Sequence, residues 1–201
     1  MEEKELTTAD SLRLIQQMIY TAKQEQKDDG KGWIIWGWLL FLASVFTYIN
    51  LHTFWVDAFF FWNLFGAFSF VLLGWSIVKK YILKKRKPVR TYTHDLYQKL
   101  NTGFSISLLL IILAMNIDIH PTMGFALLLG LYGFWILIYG AVLNFRPSLI
   151  GAYITWAAAF ASLFLKRDQF EYTMLLHAFA VLCGYIIPGH IANREFNKLK
   201  G

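Results

Sequence analysis

The sequence predicts an all-α membrane protein, a polytopic bundle of six transmembrane helices preceded by a cytoplasmic amphipathic helix. Of the 201 residues, 57% are hydrophobic and only 16% are charged, whereas about a quarter of the residues in a soluble domain are charged. The mean hydropathy is +0.44. The apolar residues form long blocks separated by short polar breaks, which is typical of helices that cross a bilayer.

This pattern divides the chain into three regions. They are a cytoplasmic N-terminal segment (1–32), a transmembrane domain (33–192) and a cytoplasmic tail (193–201). Each apolar block is close to the ~17–25 residues that a helix needs to cross ~30 Å of hydrocarbon. The six spans are predicted at about 33–50, 54–78, 100–117, 123–145, 149–165 and 172–191.

The N-terminal segment contains the amphipathic helix, which we place at residues 8–28. Leu12, Ile15 and Ile19 recur at helical spacing on one face. Thr7, with Asp10 three residues later, is typical of a capping box at a helix start. We expect this helix to contact a cytoplasmic protein partner or the inner leaflet of the membrane.

The distribution of basic residues predicts the orientation. Seventeen of the nineteen Lys and Arg residues lie in the N-terminal segment, the 79–99 loop, the turn after span four or the tail. Lys166 and Arg167 are the two on the other side. Because positively charged loops stay in the cytoplasm, both termini are predicted to be cytoplasmic. The net charge of +6 has the same explanation, so it does not indicate nucleic-acid binding.

Small residues indicate where the helices pack, because helices in lipid associate through close approach of their backbones. The turn between spans four and five consists of Arg146, Pro147 and Ser148, which predicts a tight antiparallel hairpin. The aromatic residues of spans one and two suit lipid contact, or a pocket for an apolar ligand. Small residues share one helical face at Ala126, Gly130, Gly133 and Gly140, at Gly151, Thr155, Ala159 and Ser162, and at Ala180 and Gly184.

Polar groups inside the membrane are natural candidates for function. Asn63 in span two and His177 in span six form a candidate intramembrane polar site. His177 is either a ligand or proton site or a histidine hydrogen-bonded within the bundle, and we favour the second interpretation. The middle of each span lacks Asp, Glu, Lys and Arg, which argues against an ion-coupled transporter.

A second candidate cluster lies at the outer surface, in the loops after spans one and three. Its four side chains would converge on a metal only if these two loops are neighbours. Short polar turns have the same composition, so we favour turns and predict neither a metal nor a cofactor. The members of this outer-face cluster are His52, Asp57, Asp118 and His120.

A basic cluster follows span two on the cytoplasmic side. Basic residues beside a span attract anionic lipid head groups, by about 1 kcal/mol each, or they only set the topology. The cluster can both bind anionic lipid and set the topology. The basic cluster consists of Lys79, Lys80, Lys84, Lys85, Arg86, Lys87 and Arg90.

No reaction signature is present. The sequence lacks a Walker loop, a dinucleotide fingerprint, an HExxH motif and a GxSxG motif. Its single cysteine, Cys183, excludes an intrachain disulfide. These absences favour a protein that is not an enzyme.

Four stretches carry a resemblance to a known family: ADSLRLIQQMIYTAK, the WGW at 36–38, LNFRPSLIGA and GYIIPGHIANREF. The chain resembles, over most of its length, a family of small six-span inner-membrane proteins of Bacteroidetes-type bacteria, often encoded near a winged-helix regulator. The resemblance implies a bacterial inner-membrane location and a helix before span one. It supplies no catalytic residues.

The leading hypothesis is therefore a multi-pass inner-membrane protein with a non-enzymatic regulatory, sensory or accessory role. One alternative is a small transporter or channel for an apolar or weakly polar solute, which would use the region of Asn63 and His177. A second alternative is a metal- or haem-binding membrane enzyme that uses His52, His120 or His177. Haem needs axial ligands at matching depth, and the sequence shows no paired intramembrane histidines.

Overall fold

The computed structural model of the chain describes residues 29–82 and 92–198. All regular secondary structure in these residues is helical, which confirms the all-α class. The amphipathic helix predicted at 8–28 lies outside the described residues. The described part forms α1 (Lys31–Thr53), α2 (Phe60–Ile82), α3 (Tyr92–Ile117), α4 (Pro121–Val142), α5 (Arg146–Leu163) and α6 (Phe170–Lys198).

Several of these helices are suited to a membrane by length and composition. Helices α1, α4 and α6, together with Leu96–Ile117 of α3, are long and apolar enough to cross one. Phe60–Leu72 of α2 is a shorter apolar helix. Helix α5 has 18 residues, and its buried side carries polar residues such as Thr155 and Ser162. The chain is therefore a helical protein with several membrane-capable helices.

Helices α4 and α5 form the tight antiparallel hairpin that the short turn predicts. A Cβ atom added to Gly140, near the turn, would lie 3.0 Å from the backbone nitrogen of Leu149. Further along, a Cβ on Gly133 would lie 2.5 Å from Cδ1 of Trp156, whose Nε1 donates to the carbonyl of Gly130 (2.9 Å). Residue numbers fall along α4 as they rise along α5, so the predicted hairpin is confirmed.

Helix α6 is the centre of the bundle, since α1, α4 and α5 all pack against it. A Cβ on Gly37 of α1 would lie 2.9 Å from Cβ of Tyr185, and one on Gly151 of α5 would lie 2.8 Å from Cα of Gly184. At such sites a glycine lets two helix backbones approach closely. The small-residue faces predicted for α5 and α6 are therefore confirmed as helix contacts.

The two ends of the described bundle lie together. Asn193, near the end of α6, donates from Nδ2 to the backbone carbonyl of Asp29, which precedes α1 (2.7 Å). Farther into the bundle, Ser44 of α1 contacts His177 of α6, so these two helices are antiparallel. Successive helices alternate in direction, and the start of α1 and the end of α6 meet at one end of the bundle.

Helices α2 and α3 lie at the periphery. Helix α2 packs on α1 and α3 packs on α4, but within the described residues α2 and α3 do not pack on each other. Both present large apolar side chains on their outer faces. Exposed residues include Leu64, Phe68, Phe70, Val71 and Trp75 on α2 and Ile106, Leu109, Leu110 and Leu113 on α3.

Hydropathy predicts a span from residue 54, yet α2 begins at Phe60. The side chain of Asn50 folds the intervening residues into a loop, because its Nδ2 donates to the carbonyls of Val56 and Asp57. Oδ1 of Asp57 then accepts from the backbone N–H of Phe59 (2.9 Å), which fixes the start of the helix. An apolar run does not reveal such capping.

Two other helices extend beyond their predicted spans. Helix α3 begins at Tyr92 rather than at 100, because the polar stretch before the span continues the same helix. Helix α6 continues past 191 to Lys198 although Pro188 lacks an N–H. The turn Leu182–Ile186 just before it is π-helical, and such a turn accommodates a break in the helical hydrogen-bond ladder.

Replacing Gly151 with alanine is expected to destabilise the bundle. The added methyl group would lie 2.8 Å from the carbonyl oxygen of Cys183 and 2.8 Å from Cα of Gly184, both of which are backbone atoms that no side-chain rotation can move. Overpacking of this kind costs about 1–3 kcal/mol. Thermal unfolding of the detergent-purified protein measures the loss.

The matched control is Gly103→Ala in α3, where an added Cβ meets nothing within 4 Å. Alanine is favoured over glycine within a helix by about 0.5–1 kcal/mol, so this variant is expected to equal or exceed the wild type in stability. A Gly151→Ala protein as stable as Gly103→Ala would contradict the proposed packing.

Candidate functional site

His177 lies at the centre of the bundle and is fully buried. Its Nδ1 is 2.8 Å from Oγ of Ser44 on α1, and the same Oγ is 2.8 Å from the carbonyl oxygen of Leu40. A serine hydroxyl has one proton. When Ser44 donates that proton to Leu40, Nδ1 of His177 must donate to Ser44, and Nε2 is left as an acceptor.

Three aromatic side chains surround the imidazole of His177. The ring centroids of Trp62, Phe125 and Tyr132 lie 5.1, 5.8 and 5.8 Å from it, each with a steep angle between the ring planes. Trp62 comes from α2 and the other two from α4. Together with Ser44, these contacts bring α1, α2, α4 and α6 to one point, which we call the His177 cluster.

The His177 cluster contains polar atoms without a partner. Nε2 of His177 and Nε1 of Trp62 are buried, and neither has a hydrogen-bond partner among the described residues. The same holds for Oγ1 of Thr173, which lies one turn before His177 on α6. Each such atom costs about 1–3 kcal/mol when it is removed from water. Since His177 has no exposed surface, the cluster does not line an open path in this conformation.

Asn63, the other residue of the predicted intramembrane polar site, does not join His177. It follows Trp62 on α2 and is exposed on the outer face of the helix. Trp62 contacts His177, whereas Asn63 is turned about 100° away from it around the axis of α2 and faces outwards. The structure therefore places one of the two predicted residues in the core and the other on the surface.

The outer-face cluster is not gathered into one site. Among the described residues no three His, Cys, Asp or Glu side chains are placed to hold a metal. His52 packs edge-on against Tyr48 (4.7 Å between centroids), and Asp57 starts α2. His120 starts α4, because its Nδ1 accepts from the backbone N–H of Thr122 (3.3 Å). His52 therefore belongs to the last turn of α1, whereas Asp57 and His120 cap the starts of α2 and α4.

Asp118 and His120 do share a cleft at the end of the bundle opposite Asp29. The cleft has a volume of about 280 Å³ and lies where the α3–α4 turn meets the end of α5. Thr122 and Arg167 also line it, and we call it the end cleft. The sequence does not point to these two residues, because Arg167 enters the prediction only as a positive charge and Thr122 lies in the short break before the span predicted at 123–145.

The basic cluster is largely outside the described residues. Lys79 and Lys80 belong to the last turns of α2, and the structure describes only their backbone. The remaining members, which are Lys84, Lys85, Arg86, Lys87 and Arg90, lie in the segment between 82 and 92 that the structure does not describe.

Comparisons with protein-family models, with curated proteins and with solved structures found no match for this chain.

Replacing Ser44 with alanine is expected to destabilise the protein by about 1–3 kcal/mol, because Nδ1 of His177 then loses its partner in a dry environment. Ser148→Ala is the matched control. Both serines are fully buried, but among the described residues Oγ of Ser148 has no hydrogen-bond partner, so its removal should be neutral or stabilising. Equal thermal unfolding of the two variants would show that the Ser44–His177 bond contributes nothing.

Proposed function

We propose that the chain is a six-span protein of the bacterial inner membrane, with both termini cytoplasmic, that acts as a non-enzymatic accessory or sensory component. The alternating direction of the six helices supports six crossings. The lengths of α2 and α5 support them as well, because at ~1.5 Å per residue α2 is about 35 Å long and α5 about 27 Å long. The distribution of basic residues supports the orientation. The resemblance to a bacterial inner-membrane family supports the location.

In this proposal the outer face of α2 binds a transmembrane helix of another membrane protein. The observation that carries the proposal is the position of Asn63. Its side chain is exposed on α2 and makes no hydrogen bond within the described residues. A carboxamide that faces lipid without a partner is unfavourable, and asparagine side chains in membranes bond across helix interfaces.

Small residues next to Asn63 make the same face suitable for a helix. Ala67 lies one turn further along α2 and is exposed. Cβ atoms added to Gly66 or Gly74 would meet nothing within 4 Å. An asparagine and small residues on one exposed face are the features that let two helices approach and bond in lipid.

The peripheral position of α2 also supports this role. Helix α2 is held by α1 along one side, and α3 does not cover the other side within the described residues. Phe70, which is 73% exposed, lies on the same face between Ala67 and Gly74 and provides area for packing, while Phe68 and Trp75 lie to one side of this face. Trp62 connects this face to the His177 cluster, so a helix bound at Asn63 would lie one residue away from the core contact.

The two alternatives receive less support from the geometry. A solute path through His177 would need an opening, and the imidazole is sealed by aromatic rings. A metal-binding enzyme would need converging ligands, which the described residues do not provide. A cytoplasmic partner for residues 8–28 and anionic lipids for the basic cluster remain further parts of the proposal that rest on the sequence.

A photoreactive amino acid placed at Ala67 tests the partner directly. In native membranes it is expected to form an adduct with a second protein, and the adduct should fall about threefold or more in an Asn63→Leu background, since an interhelical bond in lipid contributes about 0.6–2 kcal/mol. The same probe at Phe160, which is 65% exposed on α5, is the matched control and should give no such adduct.

Three outcomes would contradict the accessory role. They are adducts with lipid alone at both positions, an adduct at Ala67 that Asn63→Leu leaves unchanged, and an adduct that contains only a second copy of this chain. Mass spectrometry of the purified adduct distinguishes them.

A further inference from the structure

The end cleft has the composition of a binding site rather than of a simple turn. Asp118, His120 and Arg167 line it and supply a carboxylate, an imidazole and a guanidinium, and Thr122 lines it as well. Its volume of about 280 Å³ lies just below the range of about 300–1,000 Å³ for small-molecule sites. A small polar molecule or a lipid head group fits this volume, whereas a whole lipid does not.

The two opposite charges that line the end cleft do not neutralise each other. Among the described residues neither Asp118 nor Arg167 forms an ion pair, although both face the same space. The carboxylate therefore remains free to bind a cation, and the guanidinium remains free to bind an anion in its planar, two-pronged geometry.

Thr122 and His120 add hydrogen-bonding capacity beside the cleft. Thr122 is 5% exposed, and its buried Oγ1 has no hydrogen-bond partner among the described residues. A rotation of this side chain towards the cleft would let a ligand complete the missing hydrogen bond. Nδ1 of His120 accepts from the backbone N–H of Thr122, so the proton of this imidazole sits on Nε2, which is then a donor. Met123, in the first turn of α4, places the positive end of that helix beside the cleft.

These groups form a complementary pair of subsites. Asp118 suits an ammonium group, whereas Arg167, His120 and the start of α4 suit the oxygens of an acid. We propose that the end cleft binds a zwitterion that carries a primary ammonium group and an acidic oxygen group. Phosphatidylethanolamine head groups and free amino acids share this chemistry. The site does not depend on the partner proposed for α2.

The experiment uses the full-length protein in nanodiscs and has one arm for each source. In the first arm, the nanodiscs contain phosphatidylglycerol mixed with either phosphatidylethanolamine or phosphatidylcholine. The protein is then extracted into detergent, and mass spectrometry measures how much phosphatidylethanolamine stays bound to it. In the second arm, L-alanine is titrated calorimetrically into protein in nanodiscs that lack phosphatidylethanolamine.

The variants remove one group at a time. Asp118→Asn and Arg167→Gln are expected to lower retention or affinity by about tenfold or more, because each removes one charge-assisted contact. Thr122→Val should lower it by about threefold to tenfold. Asp168→Asn and Lys166→Gln change the same charges on the same surface, outside the cleft, and should leave binding unchanged.

Either probe supports the proposal if its binding falls in the cleft variants and survives in the two controls, and the arm that responds identifies the source. The proposal is overturned if neither probe binds, or if binding is equal in cleft and control variants. Asp118 and Arg167 are exposed, so their variants should fold, and gel filtration verifies this. These two variants decide the question if Thr122→Val fails to fold.

Discussion

The close approach of α6 to its neighbours is the constraint on which the rest of the bundle depends. At Gly151 the backbones of α5 and α6 meet so closely that a single added carbon would overlap backbone atoms of Cys183 and Gly184. A carbon added to Gly184 would overlap the side chains of Ile136 and Thr155, and one added to Gly37 of α1 would overlap those of Tyr185 and Ile186. Because lipid provides no hydrophobic force between helices, such contacts and a few hydrogen bonds must hold the bundle together. They also set the depth at which His177 meets Ser44.

The division of the bundle into a centre and a periphery follows from this constraint. Helix α6 has room for three close neighbours, so α2 and α3 pack on α1 and α4 instead. Their outer faces then stay open to lipid or to another protein. Asn63 lies on one of these exposed faces, and its carboxamide makes no hydrogen bond within the described part of the chain. This is the feature on which the partner proposed for α2 rests.

The sequence predicts features that are local in the chain, such as residue spacing within one helix. It does not predict contacts between residues that lie far apart in the chain. The glycine and alanine spacing of α5 and α6 is local, and so is the short α4–α5 turn. By contrast, Ser44 and His177 are 133 residues apart, and no periodicity pairs them. Trp33 stands at the start of the first predicted span, and its burial against Tyr139 and Tyr185 likewise involves residues far along the chain. The caps formed by Asp57 and His120 likewise depend on backbone geometry.

A cysteine pair tests the central packing most directly. Both double variants are made in a Cys183→Ser background. The test pair, Asp29→Cys with Asn193→Cys, places one thiol just before α1 and the other near the end of α6. The control pair, Asp29→Cys with Arg167→Cys, places the two thiols at opposite ends of the bundle. Cross-linking in native membranes with a short bismaleimide, read by mass spectrometry, should link the first pair within one chain and not the second. A link between 29 and 167, or none between 29 and 193, would contradict the antiparallel packing of α1 on α6.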